Sequence, residues 1–113
     1  IWFKTRCGHS LAVHYPSMEV NDSPGIIYRR VSEQTFADMI IDDFEEKLEH
    51  SEDYPLVCPI SLHTFIAGQP LRLRQVRRAI EHIAQYKDKI WLTRPGEIAR
   101  HVASLPEGVV EKP

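Results

Sequence analysis

From Ser32 onward, segments with apolar residues at three- and four-residue steps alternate with short, nearly unbroken apolar runs. The first pattern gives a helix one buried stripe; the second suits a strand covered on both faces. Phe36, Met39, Ile40, Phe44 and Leu48 form the first stripe. Ser32 precedes it as an N-cap, and Glu33 complements the helix dipole. The run Leu56-Val57-Cys58-Pro59-Ile60-Ser61-Leu62 follows as a strand, with Pro59 predicting a bulge because proline lacks the ladder donor. Pro70 then opens a second helix, where a missing N–H costs little, with Leu73, Val76, Ile80, Ile83 and Ala84 inward. Ile90 to Thr93 makes another short strand, Arg94-Pro95-Gly96 a turn, and Glu97 to Ala103 a last helix with Ile98 and Val102 inward. Helices alternating with strands predict an α/β fold with a largely parallel sheet and right-handed crossovers.

Before Ser32 the reading is less regular. Ser10 to Tyr15, with Leu11, Val13 and Tyr15 on one parity, suits a strand ended by Pro16. Pro16 to Pro24 is rich in turn formers and reads as a loop, while Ile26 to Tyr28 fits either a short strand or that loop. His63 to Gln69 reads as a loop containing Gly68. Three or four short strands cannot close a parallel barrel, which needs about eight. The alternatives are an open sheet with one face poorly covered or an incomplete βα layout that missing residues complete; the second is the expectation, with residues 1–105 forming part of one domain and 106–113 a tail. The opening Ile1-Trp2-Phe3-Lys4 reads as a break in a longer polypeptide. Apolar surface on Phe36, Met39, Leu73 and Val76, or on their sheet partners, should then seek a complement.

The formal net charge of -2 and the pI near 6.3 argue against nucleic acid or acidic lipid as partner. No apolar run reaches the roughly 18 residues of a membrane span. Cys7 and Cys58 match no metal spacing and read as free thiols, Cys58 buried in its strand, with a single disulfide as the alternative. The acidic residues Asp38, Asp42, Glu45, Glu46 and Glu49 form the solvated side of the first helix.

In parallel α/β proteins reactive groups gather at the C-terminal ends of strands. His63 stands there, directly after Leu62, and an imidazole at that point can give a proton to a leaving amine near neutral pH. Asn21 and Asp22 lie in a loop after a strand, as substrate contacts or as a turn held by Asx hydrogen bonds. Arg72, just inside the second helix, is placed to bind a carbonyl or carboxylate, or is ordinary surface. His9 and His14 fall on opposite sides of a regular strand, so joint metal ligation would need a bend. His50, His82 and His101 read as solvent-facing or cap-related.

The stretch Ile60-Ser61-Leu62-His63-Thr64-Phe65-Ile66-Ala67-Gly68-Gln69-Pro70-Leu71-Arg72 resembles the last motif of the polysaccharide deacetylase (NodB-homology) family. It is most similar to that family's allantoinase and cyclic-amide hydrolase branch, where a leucine-histidine pair precedes a Gly-x-Pro-x-Arg turn. Tyr15-Pro16-Ser17-Met18-Glu19-Val20-Asn21-Asp22 resembles a strand-to-loop block of the same branch, and Ile90 to Ala99 its closing strand and helix. The likeness runs from Trp2 to about Val102.

The resemblance implies the C-terminal βα units of a distorted (β/α)7 barrel, incomplete as given, in a hydrolase of non-peptide C–N bonds. The substrate would be a cyclic ureide or imide, or an N-acetyl group on a sugar. His63 would be the general acid, with Asn21 and Asp22 bordering the substrate pocket; Arg72 joins them as a substrate contact by its position alone. The family's catalytic base and its metal-binding histidines belong to an N-terminal part, so this segment is expected to bind no metal itself; zinc would be held upstream. A general acid alone supplies about 10²–10⁴-fold, so the isolated chain is expected to be inactive. A cytoplasmic homo-oligomer is expected, completed by the missing part of the fold or by a complementary chain. The competing expectation is a non-catalytic α/β subunit that only completes a partner's barrel.

Overall fold

The computed structural model describes residues 2–8, 10–12 and 16–110. The chain divides into two compact units, residues 16–89 in one and residues 1–15 with 90–113 in the other.

The larger unit is built around two helices. Helix α1 spans Glu33–His50, and Ser32 caps it by accepting from the Thr35 amide at 3.0 Å. Such a cap is worth about 1 kcal/mol. Lys47 and His50 occupy the last turn, where cations suit the dipole, and reach back to Asp43 and Glu46 at i,i+4 spacing. After the four-residue helix α2 (Thr64–Ala67), helix α3 (Pro70–Ala84) packs along α1. Phe36, Ala37, Ile40 and Phe44 from α1 and Val76, Ala79 and Ile83 from α3 are buried. Ala37 and Ala79 have no exposed surface, and side chains so small permit close helix approach. Arg78 to Asp38 at 2.6 Å and His82 to Glu45 at 2.8 Å link the two helices at their rim. Both pairs are solvent-exposed enough to contribute at most about 1 kcal/mol each.

Several sequence expectations change here. Ile80 is 42% exposed and Ala84 is exposed, because Ala79 takes the inward position between Val76 and Ile83. Phe36 and Val76 are buried in the helix pair, as their stripes predict, and Met39 and Leu73 are half-buried, so the apolar surface expected on these residues or on their sheet partners lies on the partner run, at Leu56, Val57 and Leu62. Part of the expected loop 63–69 is α2, and Gly68 at its end admits no side chain, since a Cβ would overlap the Thr64 carbonyl oxygen. Ile26 to Tyr28 is neither strand nor loop but the end of a π-helix, Ser23–Tyr28, which the chain leaves through Arg30 at φ 55. That left-handed backbone costs a non-glycine residue roughly 1–2 kcal/mol.

The expected strand 56–62 forms no ladder except at Ser61, which bridges Asn21 in parallel. A two-sided buried strand needs neighbours, and among the described residues only Asn21 supplies one. Leu56, Val57 and Leu62 consequently stay 42–46% exposed. Cys58 is therefore part-exposed, outside any strand and a free thiol.

In the smaller unit, β1 (Trp2–Lys4) and β2 (Ser10–Ala12) pair antiparallel, Phe3 opposite Leu11. The expected strand thus covers Ser10–Ala12; its remainder, Val13 to Tyr15, lies outside the described residues, as do His9 and His14. Ile90 to Thr93 is not a strand, and Trp91 and Leu92 are exposed. Helix α4 (Pro95–Ser104) starts two residues before Glu97, with proline in its first turn. Ile98 and Val102 are half-buried, as their spacing predicts, and Trp91 meets His101 edge-on.

Candidate functional site

The parallel bridge builds the site. The Ser61 amide donates to the Val20 carbonyl at 3.0 Å, and the Asp22 amide donates to the Ser61 carbonyl at 3.1 Å. Both chain segments then turn away together, which leaves Asp22 beside His63 although 41 positions separate them. Asp22 has no exposed surface. Its Oδ2 accepts the His63 backbone amide at 2.7 Å, and its Oδ1 accepts Nδ1–H of the same residue at 2.7 Å. Burying a carboxylate is expensive unless charge-assisted hydrogen bonds replace its water. Here one residue supplies both.

The carboxylate only accepts, so the ring hydrogen facing it sits on Nδ1 and Nε2 is the nitrogen left for outside chemistry. The His63 side chain is 45% exposed, so that nitrogen is not walled in. Among the described residues no partner is recorded for Nε2. Phe65 lies edge-on to the imidazole, ring centroids 5.6 Å apart at 61°.

The other predicted site residues are placed differently. Asn21 Oδ1 accepts the Ser23 amide at 3.2 Å, the Asx turn that was its structural alternative. Arg72 is half-buried, its Nη1 donating to the Ile66 carbonyl at 3.4 Å and its Nε 3.9 Å from Glu33 Oε1. It thus ties the end of α2 to the start of α1. Asp22, expected to border substrate, is instead buried behind His63 with both oxygens committed to it. Sequence reading named both residues but missed their contact.

Two broad surface grooves lie elsewhere in the larger unit, and neither is lined by Asp22 or His63. One of about 530 Å³ runs along α3 past Arg74, Arg77 and Arg78, and one of about 620 Å³ runs past Glu45, Glu49 and Tyr86. Both are open and polar-rimmed, so the chemistry of the dyad is a better guide to function than their size. Among the described residues no group of three His, Cys, Asp or Glu side chains is arranged to hold a metal ion. No helix among them is long and apolar enough to cross a membrane.

Cys58 is not a second reactive centre. Burial, then the hydrogen bond and charge of Asp43 (Sγ to Oδ2 3.3 Å), push its thiol from 9.0 up to about 11, with Lys47 pulling weakly the other way. The thiolate is the nucleophile, so near pH 8 Cys58 holds roughly a hundredfold less of it than an unperturbed thiol. Iodoacetamide at pH 8 should label Cys7, which is exposed, well before Cys58. Comparable labelling rates, read by peptide mass spectrometry, would contradict this placement. The raised value also has a stability sign. The folded state keeps the proton that the unfolded state loses above pH 9, so stability should decline as pH rises from about 9 towards 11.

Comparison with family models, with curated proteins and with solved structures gave no match to this chain.

Proposed function

We propose that this chain is the acid-bearing, C-terminal βα part of a hydrolase of non-peptide C–N bonds, similar to the polysaccharide deacetylases. The observation that supports it is the fully buried Asp22 fixing both the backbone and the ring of a half-exposed His63. A segment serving only to fill a partner's barrel has no need of an oriented, accessible imidazole. In the proposed reaction water adds to an amide carbonyl and its proton goes to a base outside the described residues. The C–N bond then breaks, and Nε2 of doubly protonated His63 gives its proton to the departing nitrogen while Asp22 holds Nδ1–H. The products are a carboxylate and the released nitrogen group: a free amine from an N-acetyl sugar, and from a ring a carbamoyl or amide group that stays in the same molecule as the carboxylate.

The base, and any zinc that activates water, would come from an N-terminal portion of the same (β/α)7 barrel or from a complementary chain. The exposed Leu56 and Val57 suit such a complement, since neighbouring strands would cover them. A cytoplasmic homo-oligomer remains part of this proposal.

The test is a hydrolysis panel on the full polypeptide: hydantoin, dihydrouracil, succinimide, N-acetylglucosamine oligomers and a peptide amide. Activity should appear on a ring amide or on the acetylated sugar. Diethyl pyrocarbonate should abolish it in step with carbethoxylation of His63, and substrate should protect that residue. Inactivation that tracks another histidine, or full activity with His63 modified, ends the proposal.

A further inference from the structure

We infer that Phe65 is the residue on which the ring of the substrate rests, the specificity-determining contact of the His63 site. The inference builds on the reading of His63 as the acid.

Phe65 is 71% exposed, an unfavourable state for a large apolar side chain that nonetheless sits on an ordered turn. Helix α2 fixes it there. Ile66 and Ala67 are buried at 2% and 4% exposure, so the same four residues that anchor α2 inward present Phe65 outward. The π-face of its ring is inclined at 61° to the imidazole plane, and the ring centres lie 5.6 Å apart. A small ring whose nitrogen approaches Nε2 within hydrogen-bond range, about 3 Å, comes within the 4.5–7 Å centroid range of aromatic contacts with Phe65 when it approaches from the Phe65 side of the imidazole. Leu62, preceding His63, is 42% exposed and adds apolar surface.

The polarity of this neighbourhood selects among substrates. From Leu62 to Phe65 the side chains offer one imidazole and one hydroxyl, that of Thr64, beside two apolar groups. A sugar ring carries several hydroxyls, and His63 and Thr64 are the only side chains of this stretch that could replace their lost water. A flat cyclic amide, polar at one edge and apolar on its faces, fits one proton donor next to an aromatic face. Its contact with Phe65 persists from bound substrate to transition state, so it should govern binding more than the chemical step.

The experiment compares Phe65→Ala, Phe65→Leu and Phe65→Trp in the full polypeptide, with hydantoin and succinimide as ring probes and N-acetylglucosamine as the sugar probe. Binding is read by saturation-transfer NMR, turnover by initial rates. Phe65→Ala should raise KM for the ring probes about tenfold with kcat changed less than twofold. Phe65→Trp should restore it, Phe65→Leu should restore it only in part, and the melting temperature should not move. Ring-probe KM within twofold of the original in Phe65→Ala overturns the inference. So does equal rescue by leucine and tryptophan, a melting temperature that falls with binding, or absence of saturable ring binding by the unaltered protein. The two readings fail separately. Hydrolysis that needs His63 but ignores Phe65 leaves the acid and removes the platform, whereas ring binding that needs Phe65 without His63-dependent hydrolysis does the reverse.

Discussion

Asp22→Asn should lose most of the turnover that His63→Ala loses, about 10²–10⁴-fold, although an asparagine amide never reaches substrate. The reason is the pair of hydrogen bonds. In the original protein two acceptor oxygens meet two donors, the His63 amide and Nδ1–H, each at 2.7 Å. Asparagine offers one oxygen and one NH2 in the same space. If the oxygen keeps the backbone amide, the NH2 points at Nδ1, which must then accept, and the ring hydrogen moves to Nε2. A doubly protonated ring would face donor against donor, so the form that gives a proton to the leaving nitrogen is disfavoured. Shape is preserved while the tautomer is reversed, as in other carboxylate–histidine pairs. Long-range ¹H–¹⁵N spectra of the histidine ring test this without any substrate: the hydrogen should sit on Nδ1 in the original protein and on Nε2 in Asp22→Asn. Adding His63→Ala to Asp22→Asn should cost little more than His63→Ala alone, because the two residues act as one unit. Turnover within threefold of the original in Asp22→Asn, or an unchanged tautomer, would remove Asp22 from the proposed mechanism.

The long helices were legible and the strands expected after Ser32 were not, for a physical reason. Stripes such as Phe36, Ile40 and Phe44 report burial by a local rule, since spacing along one helix decides which side chains share a face. Ser32 and Pro70 mark helix starts by equally local chemistry, and the structure has both where the sequence puts them. Leu56 to Leu62 reports something non-local. An apolar run shows that the segment tolerates cover on both faces, not that neighbours are present to provide it. Val76 and Ala79 show the same limit within a helix, because choosing Ala79 over Ile80 as the inward residue depends on how closely α1 approaches. The site was half legible. Position after a strand singled out His63 and Asp22 separately, but their contact follows from the Asn21–Ser61 bridge, which no local pattern encodes. Arg72 meets Glu33 on another helix, a contact that spacing along one helix does not report.

The second large effect is on stability, and it connects the helix pair to the dyad. Phe36 is 1% exposed on α1, and a Cβ built at Gly25 would lie 3.3 Å from its Cδ2. Gly25 belongs to the π-helix that begins directly after Asp22. The Phe36 ring thus supports the segment that fixes Asp22, as well as filling the space between helices. Phe36→Ala removes the apolar transfer energy of the ring and leaves a cavity, together about 3–5 kcal/mol. A unit the size of residues 16–89 has only about 4–11 kcal/mol of stability, so the loss takes a large share of it. Urea unfolding should show a midpoint lowered accordingly, whereas Ile80→Ala, at a position already 42% exposed, should stay within about 1 kcal/mol of the original. Hydrogen exchange separates the local consequence from the global one. Below the unfolding transition, amides of residues 22–28 should lose more protection than those at the far end of α1, near Glu46, because the cavity opens beneath the π-helix. Uniform loss along the unit, or a midpoint shift no larger than that of Ile80→Ala, would show that the Phe36 ring is not what holds the Asp22 segment in place.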